Sequence, residues 1–155
     1  MSENMIYMCR SCCTVLGDSL SVCGTNDSLK VIACLRVTNE VVMDKGLHIM
    51  LDGDLNGCAY YPLHCRSCET RIGFTMYTAF RIFSCLRGLF CLQKEQITCY
   101  VLNSRKIFPG LELDIKPPIL GGHIKELKEG LVNLHLQVEL LNCQLGHLPV
   151  KSVKL

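Results

Sequence analysis

Four cysteines in two identical frames are the residues here whose spacing could do chemistry. Cys9 and Cys12 bracket one copy of the tetrapeptide CRSC, and Cys65 and Cys68 bracket a second. The likeness runs further, because CRSCCTVLG (9–17) and CRSCETRIG (65–73) also share a threonine, an aliphatic residue and a glycine. Zinc is held by soft, deprotonated ligands in a tetrahedron, and one C-x-x-C turn delivers two thiolates to one side of the ion. Two turns complete the shell, so Cys9, Cys12, Cys65 and Cys68 are expected to hold one zinc ion. Four protein ligands leave no position for water, which makes such a site structural and not catalytic. The alternative is that these are buried or redox-active thiols.

The other cysteines fit no such frame. Cys13 and His64 adjoin turns that already supply two ligands each and are expected to stay outside the shell. Cys23, Cys34, Cys58, Cys85, Cys91, Cys99 and Cys143 share no spacing, and most are expected to be small core hydrophobes. His48, His123, His135 and His147 form no frame with any of them in which an imidazole would activate a thiol.

Twelve cysteines in 155 residues would suit a disulfide scaffold if a secretory leader preceded them. MSENMIYM has neither a basic run nor an apolar core, so a reducing, intracellular setting is expected, where paired cysteines bind metal. The longest apolar stretch is broken by Arg81 and Arg87, and no membrane span is expected. Sixteen basic and fourteen acidic side chains leave a net charge of +2, too weak and scattered for a phosphate-tracking surface.

The elements that must position the thiols are short strands. Runs such as LKVIACLRVTNEVVM and QITCYVL alternate with turn signals, and DGDLNG (52–57) offers two glycines for tight reversals. A hairpin is expected at each CRSC. Phe80, Phe83 and Leu86, spaced by three before Gly88, predict a short helical turn. Residues 5–104 therefore read as one mainly β zinc domain. Pro109, Pro117, Pro118 and the Gly121–Gly122 pair mark 105–121 as a linker.

A helix is expected over 122–148. Ile124, Leu127, Leu131, Leu134, Val138, Leu141, Leu145 and Leu148 recur at alternating spacings of three and four, the seam of a coiled coil. Val132, Leu136, Leu140 and Cys143 form a second apolar row, so a bundle of three or more helices fits better than a dimer. The competing reading is an amphipathic helix folded back on the β-domain.

RVTNEVV (36–42), HCRSCETRIGFTMY (64–77), LRGLFCL (86–92) and ITCYVLN (97–103), in that order, resemble the Mis-eighteen centromere proteins, the beta-type (Opa-interacting) members most. IKELKEGLV resembles the start of that family's C-terminal coiled coil. The resemblance implies a Yippee-like β-tent of two antiparallel sheets, with Cys9, Cys12, Cys65 and Cys68 as zinc ligands. It also implies a non-enzymatic scaffold in the nucleus, at centromeres, which pairs through its zinc domain and forms hetero-oligomers with an alpha-type paralogue through the helix. Further implied partners are a Myb-domain binding protein and the chaperone that deposits CENP-A.

Three other functions are weighed against this one. A methionine sulfoxide reductase of the B type also carries two zinc C-x-x-C pairs, and its nucleophile would have to be Cys91 or Cys99. A ligand-binding adaptor of the cereblon type needs a cage of tryptophans, and this chain has no Trp. Direct DNA binding is the third, and a steep loss of affinity with salt would be its signature.

Overall fold

The computed structural model describes residues 3–115 and 120–146, with side chains described from Ile124 onward in the helix. Two compact units divide the chain after Lys116.

The first unit contains eleven strands in chain order: β1 (Met5–Cys9), β2 (Val15–Asp18), β3 (Val22–Asn26), β4 (Val31–Cys34), β5 (Val41–Met43), β6 (His48–Ile49), β7 (Ala59–Cys65), β8 (Arg71–Met76), β9 (Phe90–Gln93), β10 (Ile97–Val101) and β11 (Ile107–Pro109). They form two antiparallel sheets, as the family resemblance implies. The smaller has the order β11-β10-β1-β2, and the larger β3-β4-β9-β8-β7-β5 with β6 also on β7.

Strand parity explains the core. Successive side chains point to opposite faces of a strand, and in β4 all four residues are buried. Ile32 and Cys34 join a cluster with Tyr7, Leu16, Leu63, Ile72, Leu92 and Ile97, drawn from both sheets. Val31 and Ala33 face the other way, into a second cluster with Phe74, Met76, Phe83, Leu86 and Leu55. The larger sheet is thus covered on both faces, and its central strands read as continuous apolar runs.

The expected helical turn is a 3-10 segment, Arg81–Leu86, that buries Phe83 and Leu86 and ends before Gly88 at φ 77°. Phe80 does not share that face: it precedes the segment and is exposed. Gly53 and Gly57 both take positive φ, at 74° and 88°, and turn the chain between β6 and β7. Part of the segment assigned to the linker is folded. β11 pairs with β10, a 3-10 turn spans Gly110–Glu112, and Leu113 is buried in the core.

Gly73 is required by close approach. A Cβ built there would fall on the carbonyl oxygen of Cys91 in the neighbouring strand, a backbone atom that cannot swing away. Gly73→Ala is therefore expected to cost about 1–3 kcal/mol by overpacking. A drop in the urea midpoint with an unchanged denaturant slope would register it, whereas an unmoved midpoint would show that β8 and β9 part freely.

Lys94 is an exception to the rule that lysines stay outside. Its side chain is buried, and Nζ donates to Asp27 Oδ1 at 3.1 Å and to the Leu113 carbonyl at 3.3 Å.

The second unit contains α1 (Leu120–Gly146). Leu148, the last residue of the expected seam, lies outside the described residues. The described seam, Ile124 to Leu145, is 46–67% exposed at every position, and the second row is exposed as well. His135 Nε2 lies 3.2 Å from Glu139 one turn on, a solvated pair. Gly130 sits mid-helix with open space where a Cβ would be. Gly130→Ala is expected to stabilise the helix by roughly 1 kcal/mol, read as a gain in helical circular dichroism. Among the described residues no helix is long and apolar enough to cross a membrane.

Candidate metal centre

Each CRSC forms the tip of a hairpin, as expected: the first joins β1 to β2, and the second joins β7 to β8. The two tips match atom for atom. Cys9 N donates to the Thr14 carbonyl at 2.8 Å, and Cys65 N donates to the Thr70 carbonyl at 2.9 Å. The amide that follows the second cysteine, on Cys13 or Glu69, reaches back to the carbonyl of Cys9 or Cys65, at 2.8 Å in both. That closure needs a left-handed residue, and Cys13 and Glu69 supply it at φ 60° and 59°. Neither side chain belongs to the group of thiols.

A third strand clamps each tip in the same way. Arg10 N donates to the Gln96 carbonyl and its Nη1 to the Glu95 carbonyl, at 2.9 and 3.2 Å. Arg66 N donates to the Glu40 carbonyl and its Nε to the Asn39 carbonyl, at 2.8 and 3.0 Å. Strands β10 and β5, which follow those carbonyls, pair with β1 and β7 at Cys9 and Cys65. The centre is built from two copies of one three-stranded half-site, related by an approximate twofold.

The halves meet at their thiols. Cys9 Sγ lies 3.6 Å from Cys68 Sγ, and Cys12 Sγ lies 3.5 Å from Cys65 Sγ. All four sulfurs fall within 4.8 Å of one another. A tetrahedron with zinc–sulfur bonds of about 2.3 Å has edges of about 3.8 Å, so the group fits one zinc ion. Among the described residues this is the one group of three or more His, Cys, Asp or Glu side chains close enough to hold a metal.

The first cysteine of each pair is buried, whereas Cys12 is exposed and Cys68 half-buried. Without metal, burial pushes the Cys9 thiol up to about 12. Hydrogen bonds from the Thr70 hydroxyl and amide bring Cys68 down to about 6, and Thr14 lowers Cys12 in the same way. Both outer thiols are therefore readier to ionise than Cys9. Bound zinc would neutralise part of the thiolate charge and join the two tips.

Among the described residues no other cysteine or histidine joins the group. His64 Nδ1 faces Asp44 Oδ1 at 3.2 Å, and Cys13 is exposed on its turn. Cys34, Cys58, Cys91 and Cys99 are buried in the core as expected, and Cys23 is half-buried. Cys85 and Cys143 are exposed and do not follow that expectation. Burial pushes the thiols of Cys91 and Cys99 up to about 12, the opposite of what a sulfoxide-reducing nucleophile needs.

Comparison with known proteins gives this centre its context. Residues 5–110 match the family described as Yippee zinc-binding/DNA-binding /Mis18, centromere assembly. The chain belongs to the Yippee–Mis18 family. This Yippee–Mis18 chain thus joins a domain of a zinc-binding family to a cluster, Cys9, Cys12, Cys65 and Cys68, that is able to hold one metal ion. Protein Mis18-alpha of Homo sapiens is 31% identical over 100 residues, covering 64% of this chain and 43% of that protein. Protein Mis18-alpha of Rattus norvegicus is 29% identical over 104 residues, covering 66% of this chain and 47% of that protein. The chain spans less than half the length of these relatives. The solved Mis18 Yippee-like domain superposes with a TM-score of 0.60 at 18% identity, covering 65% of this chain and 99% of that one, and bears out the β-tent fold.

The residues around the thiols were harder to find in the sequence. The shared threonine of the two repeats was the one local signal for Thr14 and Thr70. Nothing in the sequence pointed to the carbonyl clamps at 39–40 and 95–96.

Proposed function

We propose that this chain is a non-enzymatic scaffold subunit of the assembly that licenses centromeres for CENP-A deposition in the nucleus. The β-domain supplies a zinc-stapled pairing module. The helix is the oligomerisation element, through Ile124, Leu127, Leu131, Leu134, Val138, Leu141 and Leu145. Its counterpart is an alpha-type Mis18 chain, with the Myb-domain binding protein and the CENP-A chaperone as further partners. Beta-type identity accompanies this reading.

The observation that carries it is the uncovered seam, an apolar row exposed along its described length on a chain whose β-domain is of the centromere-assembly family. An isolated helix with such a stripe gains its stability from packing against other helices. Four protein ligands on the zinc favour scaffolding over catalysis, since no coordination position remains for a substrate.

The test is native mass spectrometry of the purified chain, alone and mixed with Mis18-alpha. A mixed oligomer with one zinc for each copy of this chain is the expected result. A zinc-bound monomer indifferent to Mis18-alpha would overturn the scaffold reading and leave the helix as a packing element of its own domain.

A further inference from the structure

Hydroxyl groups tie the two halves of the thiol cluster to each other. Thr14 Oγ1 lies 3.1 Å from Cys12 Sγ in its own tip and 3.1 Å from Ser67 Oγ in the other. Thr70 Oγ1 lies 3.2 Å from Cys68 Sγ in its own tip and 3.4 Å from Ser11 Oγ in the other. The same two chains, cysteine to threonine to the opposite serine, cross the boundary once in each direction. Ser67 Oγ also lies 3.5 Å from Glu40 Oε2.

We propose that Thr14 and Thr70, with Ser67 and Ser11, form a crossed hydroxyl clasp that positions the outer thiolates Cys12 and Cys68 and governs how firmly zinc is retained. A proton count gives its working direction. A hydroxyl carries one proton, and a zinc-bound thiolate can only accept. In the loaded centre each threonine must therefore donate to its cysteine sulfur and accept from the opposite serine. Ser67 then turns its single proton from Glu40 to Thr14. Both chains run from serine to threonine to sulfur, so each bond polarises the next. Cys12 and Cys68 are the exposed and half-buried ligands, and zinc is lost by way of ligands that water reaches. The clasp acts on those two and not on the buried pair.

The experiment measures zinc dissociation from the full chain by competition with a chromogenic chelator, alongside the thermal unfolding temperature. Metal-ligand partners of this kind are worth about 10–100-fold in affinity, and the Thr14→Val, Thr70→Val double variant is expected to lose that much and to release zinc correspondingly faster. Each single valine variant is expected to show a smaller loss in the same direction, which keeps the question answerable if the double variant does not fold. Thr14→Ser with Thr70→Ser retains both hydroxyls and should keep zinc affinity within about threefold of the parent, well short of the expected loss. Valine variants with parental affinity and release rate would overturn the clasp. Serine variants as weak as the valine ones would overturn it too, because the methyl group and not the hydroxyl would then be responsible.

Discussion

Replacing Cys65 with serine is expected to leave a chain that neither retains zinc nor folds. Cys65 is fully buried, belongs to the core cluster shared by the two sheets, and faces Cys12 across the centre at 3.5 Å. The hydroxyl is a poor ligand for zinc and would be left polar in an apolar site. Structural zinc contributes about 10–16 kcal/mol in small metal-folded domains. A domain of this size has a total stability of about 5–15 kcal/mol, so loss of the ion is comparable to everything the fold has. The variant should show no zinc by elemental analysis and collapsed amide dispersion by NMR. Cys13→Ser is the matched control, since its side chain is exposed and outside the thiol group, and it should keep both metal and fold. A folded, zinc-free Cys65→Ser chain would show that the sheets stand without their staple.

The second large effect is expected at the helix seam. Leu131→Glu with Leu134→Glu places two carboxylates where the proposed bundle needs leucine. Burying each leucine is worth about 1.5–3 kcal/mol. Two leucines in each copy of this chain give about 3–6 kcal/mol, or at least about a hundredfold in association at about 1.4 kcal/mol per tenfold. The assembly with Mis18-alpha should be lost in size-exclusion chromatography with light scattering, while the zinc content of the β-domain stays at one. Both leucines are exposed on the helix of the single chain. An assembly that survives the double substitution would place the contact elsewhere.

The parts legible in the sequence are those whose information is local. Two thiols three residues apart determine a zinc half-site within a single turn, and repetition of CRSC, followed each time by a threonine and a glycine at the same offsets, exposed both halves. The helix was legible for the same reason, because a helix reports itself through the spacing of its apolar residues alone. Tertiary closure was not. The carbonyls that hold Arg10 and Arg66 belong to residues 95–96 and 39–40, and backbone oxygens leave no mark on side-chain identity. β11 was hidden by Pro109, which reads as a strand breaker. It lies on the outer edge of the smaller sheet, where a missing N–H is tolerated. Lys94 was hidden because its burial depends on Asp27 and Leu113, distant in sequence.

Because the metal centre is divided between two hairpins, its completion is also a matter of time on the ribosome. The first tip can form as soon as residues 5–18 are made, but it then offers only two thiolates, and its second pair arrives with Cys65 and Cys68. Its clamping strand comes later still, since Cys9 pairs with Ile97. At about 5–20 residues per second, roughly 4–18 s of synthesis separate Cys9 from that partner. For that interval the nascent chain displays first two thiolates and then four beside an unpaired strand edge, so all four ligands are made before the strand that clamps Cys9.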